Sequence, residues 1–288
     1  MNIVPQLILN SIIAGSIIAF LAVSFNLIYG ATRFFNMAHG TVAIFGGYIA
    51  FFFFKMLGLN MYLSVVLGVI AAGFLGYILD LIIYLPLRKR KASGMIMLVA
   101  SIGVFTALQS LIQIFFTSEF QTLSDISVHD KLYTIFGATI TQTQIYILIM
   151  AFIVAICLII FLKYTIFGKA VKAISDDEEV AKIVGINTNK IIGLLFFIGS
   201  GIAAIGGIAV GFDTGLNPTM GMKLLLHGIS AAIIGGVGSV YGAFIGAFVL
   251  TFVANFSIFW ISGEWQEAVA FVLLIIFLIF RPRGIIKR

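Results

Sequence analysis

Long apolar runs, nearly free of charge, recur from one end of the chain to the other. They fall at about 6–30, 40–57, 61–85, 95–117, 144–162, 191–211, 224–237, 240–260 and 265–280. A helix needs about 20 apolar residues to cross hydrocarbon. Only a helix or a closed barrel satisfies its own backbone there. A barrel reads as short alternating segments, whereas these runs are continuous. The expected fold class is therefore all-α, a polytopic membrane protein with about 8–10 membrane helices or half-helices. No linker or composition break divides the chain, so residues 1–288 are read as a single transmembrane domain. A mean hydropathy of +1.18 leaves no room for a soluble reading. Cys157, the sole cysteine, excludes an intrachain disulfide and a Cys-rich metal site. The opening M-N-I-V-P-Q carries no Lys or Arg. Residues 6–30 are therefore read as a retained span rather than a secretory signal.

Basic residues set the orientation. Arg88, Lys89, Arg90 and Lys91 follow the third run. Lys163, Lys169, Lys172, Lys182 and Lys190 lie between the fifth and sixth, and Arg281, Arg283, Lys287 and Arg288 end the chain. Alternation places all three clusters, with Arg33, on the inside. The N-terminus is then outside and the C-terminus cytoplasmic. The outer loops carry acids instead: Glu119, Asp125, Asp130, Asp213, Glu264 and Glu267. The net charge of +6 is thus a topology signal and does not call for nucleic acid.

One inner loop stands apart. The stretch S-D-D-E-E-V-A-K-I-V-G, residues 175–185, holds four of the chain's 11 acids in a row. Ser175 and Glu178 have the spacing of a capping box. Asp176, Asp177, Glu178 and Glu179 suit the positive end of a helix macrodipole, and Gly185 suits a left-handed stop. The spacing predicts a helix over 176–184, too short to persist alone. Val180, Ile183 and Val184 form its apolar strip. It either folds back on its own bundle or inserts into a groove on a soluble partner.

Many of the 30 glycines lie inside apolar runs, where small residues let membrane helices approach closely. Two stretches go further: F-N-M-A-H-G-T-V-A-I-F-G-G at 35–47, and G-L-N-P-T-M-G-M-K-L-L-L-H-G at 215–228 followed by I-S-A-A-I-I-G-G. Each holds an Asn, then His-Gly, then Gly-Gly. Each follows a long run, and the two runs cross in opposite directions. This is the pattern of an inverted repeat with broken helices. Polar side chains at membrane depth are costly unless they face a partner or water. Asn26, Asn36, His39, Gly40, Asn217, His227 and Gly228 are accordingly the candidates for a translocation path. Asn255 is a further polar candidate, and Gln109 and Gln113 are expected to bond between helices. Asp80 is expected to pair with a basic residue near the inner interface. No metal-ligand spacing, catalytic triad or phosphate-binding loop occurs, so no cofactor, metal or reaction is expected of this chain.

The chain resembles the permease subunits of high-affinity ABC importers for branched-chain amino acids. The carrying residues are F-N-L-I-Y-G at 25–30, F-N-M-A-H-G at 35–40, P-L-R at 86–88 and G-K-A-V-K-A-I-S-D-D-E-E-V-A-K-I-V-G-I-N at 168–187. H-G-I-S-A-A-I-I-G-G-V-G-S-V-Y-G-A at 227–243 and R-P-R-G-I at 281–285 complete the match. The resemblance implies a multi-pass subunit of a prokaryotic cell membrane, surrounded by membrane lipid. It implies a second homologous permease, two ABC ATPase subunits and an extracytoplasmic substrate-binding protein as partners. Residues 175–185 would then couple to the ATPases, with Ala181 and Gly185 on the family's A-x-x-x-G positions. Urea and short-amide permeases share these motifs, so either substrate class is compatible. An ATPase-independent uniporter or channel would leave the 163–190 loop dispensable. A structural or lipid-sensing scaffold would tolerate apolar residues at the Asn and His positions.

Overall fold

The computed structural model describes residues 3–124, 131–135, 137–281 and 284–286. Asp125, Asp130, Arg283, Lys287 and Arg288, which the charge pattern includes, lie outside the described residues.

Helices account for nearly everything described. In chain order they are α1 (Val4–Thr32), α2 (His39–Phe51), α3 (Met61–Leu79), α4 (Leu85–Lys89), α5 (Gly94–Phe116), α6 (Gln142–Tyr164), α7 (Ile166–Asp176), α8 (Glu178–Ile183), α9 (Thr188–Asp213), α10 (Met220–Gly235), α11 (Val240–Phe256) and α12 (Gln266–Phe280). A π turn over Phe52–Met56 extends α2, and another over Asp80–Tyr84 joins α3 to α4. Eight helical stretches among the described residues are long and apolar enough to cross a membrane, and α10 is a shorter apolar helix. Polar caps decide where several begin. Asn60 opens α3 and Ser93 opens α5. Asn187 opens α9, and Thr141 with Gln144 forms a reciprocal capping box at α6.

Two features among the described residues are not helical, one of them a lone antiparallel bridge between Gln121 and Leu216. Strands β1 (Leu132–Ile135) and β2 (Ala138–Thr141) form an antiparallel hairpin with Tyr133 opposite Ile140. Strands this short give too few residues for alternation to register, and the hairpin is not expected from the sequence. Its anchor is the Gln6 side chain, which accepts from Thr139 N at 2.8 Å and donates to Thr139 O at 3.1 Å. The start of α1 and the hairpin therefore share one end of the bundle.

At the opposite end the basic elements come together. Arg33 donates to the Ser175 carbonyl at 2.5 Å, and the Tyr84 hydroxyl donates to Asn36 Oδ1 at 2.9 Å. Ile285 N donates to Ile234 O at 2.9 Å. The turn after α1, the end of α3–α4, the α7–α8 region and the chain's last described residues thus lie at one face. Asp80 meets Arg88 there, in two bonds of 2.6 and 3.1 Å, with only 2% of Asp80 exposed. Gln109 and Gln113 on α5, by contrast, make no side-chain hydrogen bond among the described residues. Both are half-exposed, because α5 packs chiefly on α2 and leaves much of its surface bare.

The core is two crossed triplets of helices. α2 and α3 pack on α9, while α10 and α11 pack on α1; α2 also packs on α3, α10 on α11, and α1 on α9. The partners correspond one to one: α1 with α9, α2 with α10, α3 with α11. Glycine makes the approach possible. A Cβ at Gly246 would run into the Ala231 carbonyl, and one at Gly235 into the Gly242 carbonyl.

Candidate functional site

Two regions carry the residues singled out by sequence: the meeting point of α2 and α10, and the α7–α8 element.

The chain re-enters the bundle before α2 begins. His39, the first residue of α2, bonds Ser24 Oγ through Nε2 at 2.8 Å. Ser24 lies two turns before the end of α1 at Thr32, so α2 starts about 12 Å below that end. The Ser24 hydroxyl also lies 3.0 Å from the Leu21 carbonyl, which leaves His39 Nε2 to donate. His39 is 1% exposed, and its Nδ1 has no partner among the described residues. Thr41 Oγ1 and the Tyr48 hydroxyl on the same helix are likewise buried and unpartnered among the described residues.

The two half-helices begin in the same way. Asn36 Oδ1 accepts from Ala38 N at 3.1 Å, and Asn217 Oδ1 accepts from Thr219 N at 3.0 Å. Three residues on from each Asn, His39 N and Met220 N donate back to the Asn carbonyls. Each Asn closes an Asx turn that replaces a missing helical turn. The helix starts then touch: a Cβ on Gly40 would strike the Gly221 carbonyl, and one on Gly221 would press on Thr41 N. The register differs from the one expected. Matching His-Gly to His-Gly pairs Gly40 with Gly228. The structure pairs Asn36 with Asn217, Gly40 with Gly221 and Gly47 with Gly228, all at one constant offset, and the ends of α1 and α9 at Thr32 and Asp213 keep it too. The physical reason is that the Asx turn and the glycine contact set the register, while the His at 39 and 227 do not occupy equivalent positions.

The remaining candidates separate. Asn26 is 1% exposed and spends its whole amide on the turn after α10. It donates to Gly236 O at 3.0 Å and Ser239 O at 2.9 Å, and accepts from Gly238 N at 3.1 Å. His227 is half-buried on the side of α10 toward α12, where Nδ1 lies 2.9 Å from Lys223 O and the ring meets Phe271. Lys223 pairs with Glu267 across the same contact. Gly228 packs on Leu21 of α1. Asn255 accepts from Gln266 at 2.8 Å. Ser24, Thr41, Tyr48 and Gly221 escape the sequence reading; the constant Asn-x-x-x-Gly spacing is the signal that would have found Gly221.

The charged element is built differently from the expected single helix. Ser175 is buried in the last turn of α7, and the helix over 178–183 is capped by Asp177, whose Oδ1 accepts from Glu179 N at 2.8 Å and Val180 N at 3.0 Å. Asp177 sits at φ −153°, ψ 113°, an extended residue between two helices. Ser175 cannot serve as cap because its carbonyl is held by Arg33 and its side chain lies over Gly30. Asp176 consequently closes α7 while Glu178 and Glu179 form the first turn of α8. Gly185 takes φ +89° and stops the helix, its N–H reaching Lys182 O. Ala181, 2% exposed, packs inward, whereas Val180, Ile183 and Val184 are 53%, 83% and 68% exposed. The apolar strip therefore faces away from the chain's own bundle.

Crossed helix triplets with two broken members meeting inside the bundle define a multi-pass membrane permease. Residues 7–278 match the family described as branched-chain amino acid transport system / permease component, and the chain belongs to that family. It is 32% identical to the high-affinity branched-chain amino acid transport system permease protein LivH of Escherichia coli, over 98% of this chain and 95% of that protein. It is 31% identical to the corresponding permease protein BraD of Pseudomonas aeruginosa, with the same coverage of 98% and 95%. Among solved structures, an inward-facing metal-chelate type ABC transporter overlays with a TM-score of 0.48 at 18% identity, over 96% of this chain and 84% of its own.

Proposed function

We propose that this chain is the pore-forming permease subunit of an ABC importer for branched-chain amino acids, and that it carries out no reaction of its own. Its basic end faces the cytoplasm, with the C-terminus inside. A second homologous permease completes the path, two ATPase subunits drive it, and an extracytoplasmic binding protein delivers substrate. Residues 175–185 form the coupling element. The observation that carries this reading is the outward strip of Val180, Ile183 and Val184 on a helix held at both ends. Short, capped and anchored through Ala181, α8 is a rigid handle continuous with α7 and α9. A pull on it would be transmitted to α6 and α9 as a rigid-body shift. The buried polar groups of α2 and the paired helix starts at Gly40 and Gly221 mark the region where such a shift would open a path; Asn36, His39 and Asn217 stand at these starts, while His227 and Gly228 lie farther along α10. An aliphatic zwitterion suits a lining of Gly, Ala and Phe with few polar groups.

The test is uptake by the reconstituted complex. Ala181→Arg forces a charge into a buried contact, and Gly185→Pro is incompatible with a positive φ and removes the N–H donated to Lys182. Both should abolish ATP-dependent leucine uptake and ATPase association while the chain still inserts. Uptake and association at wild-type levels would sink the coupling assignment, and uptake of urea instead of leucine would sink the substrate.

A further inference from the structure

α6 and α11 both pack on α1 and leave a furrow between them along it. Along its apolar stretch it is closed by buried Ser16, Ala19, Phe20 and Val23 of α1, Ala151 of α6 and Ile202 of α9, with Val154, Ala155 and Phe244 beside them. Toward the basic end a separate cleft of about 400 Å³ opens between α1, α6, α7 and the start of α11.

The cleft has one sign of charge. Lys163 at the end of α6 and Lys172 on α7 line it, together with Ser239 and Tyr241, and among the described residues no Asp or Glu does. Neither lysine makes an ion pair among the described residues. Asp176 stands one turn beyond Lys172 but does not line the cleft. α7 is an amphipathic helix: Gly168, Val171, Ile174 and Ser175 are buried, while Lys169 and Lys172 are exposed. Its corner with α6 is tight, with Gly168 against the Leu162 carbonyl. Exposed Tyr164 and Ile166 flank that corner. The buried face of α7 packs on α1, α6 and α9, which leaves Lys163 and Lys172 exposed at the basic end of the bundle.

We propose that this cleft is a binding site for the headgroup of an anionic phospholipid, with the phosphate between Lys163 and Lys172. Basic pockets between spans are a known form of lipid recognition, and this cleft opens between α1, α6, α7 and α11 with two lysines on its lining. Placement in the inner leaflet rests on the orientation proposed above; lipid binding itself is measured without reference to transport or orientation. A ligand there would touch α6, α7 and the α11 turn together, so it would brace the base of the coupling element.

The experiment is native mass spectrometry of the delipidated purified assembly titrated with phosphatidylglycerol or phosphatidylcholine. Phosphatidylglycerol should bind preferentially, and K163Q/K172Q should weaken it about thirtyfold and erase the preference. K89Q/K91Q, which alters a basic cluster outside the cleft, should leave it within about twofold. Equal binding of the two lipids, or wild-type binding by K163Q/K172Q, overturns the proposal. Displacement of phosphatidylglycerol by millimolar inorganic phosphate would identify a free-phosphate site and overturn the lipid assignment. These outcomes are independent of leucine uptake, so failure of this site leaves the importer reading standing, and the reverse holds too.

Discussion

Asn26→Ala separates a structural clasp from a path residue. The wild-type amide makes three bonds to the turn between α10 and α11: two to the carbonyls of Gly236 and Ser239, one from the Gly238 N–H. In soluble proteins each such bond contributes about 1 kcal/mol net, and a buried group left unpaired costs about 1–3 kcal/mol. Interhelical polar bonds in membranes average about 0.6 kcal/mol. The cleft beside Asn26 admits water, which caps the penalty for the orphaned backbone groups. The balance is a loss of about 2–3 kcal/mol for three bonds. For a chain of this size that corresponds to about 5–10 °C in Tm. The assay is thermal unfolding of the purified assembly, followed by leucine uptake in proteoliposomes at a temperature where the variant stays folded. A clasp predicts lowered Tm with uptake per folded complex largely kept. Asn26→Asp retains the acceptor for Gly238 but loses both donors and leaves a buried charge, so it should be no better than Ala. An unchanged Tm with uptake abolished would refute the clasp and return Asn26 to the path.

Three further outcomes follow from the same geometry. Arg88→Met leaves Asp80, 2% exposed, without its partner and should destabilise the chain by about 3–5 kcal/mol, seen as lost expression or a lowered Tm; Asp80→Asn in the same background should recover part of it. Gly40→Leu and Gly221→Leu both overpack the contact between the two half-helix starts, at a cost of about 1–3 kcal/mol or more; the space for a Cβ is tighter at Gly40 than at Gly221, so Gly40→Leu should lower Tm more, and a neutral Gly40→Leu would refute the contact. Ile183→Glu, on an 83% exposed residue, should leave Tm unchanged yet abolish co-purification of the ATPases, which a merely solvated helix would not do.

The sequence alone was enough to establish a multi-pass helical chain with about 8–10 membrane elements. Hydrocarbon imposes so severe a backbone constraint that hydropathy and the placement of Lys and Arg carry the architecture. Asp80 and its basic partner were legible for the same reason, since a lone acid there demands one. The tertiary structure decided what depends on proximity between distant segments. Whether Asn26 faces a path or a turn two hundred residues later, whether Ser175 or Asp177 caps α8, and whether Gly40 meets Gly221 or Gly228 all turn on which backbone lies opposite. Helical periodicity sets a side chain's face but not the neighbour that fills it. The outward strip on α8 shows the same limit: spacing marked Val180, Ile183 and Val184 as one face, and only the packing of Ala181 against the bundle determined that this face points outward.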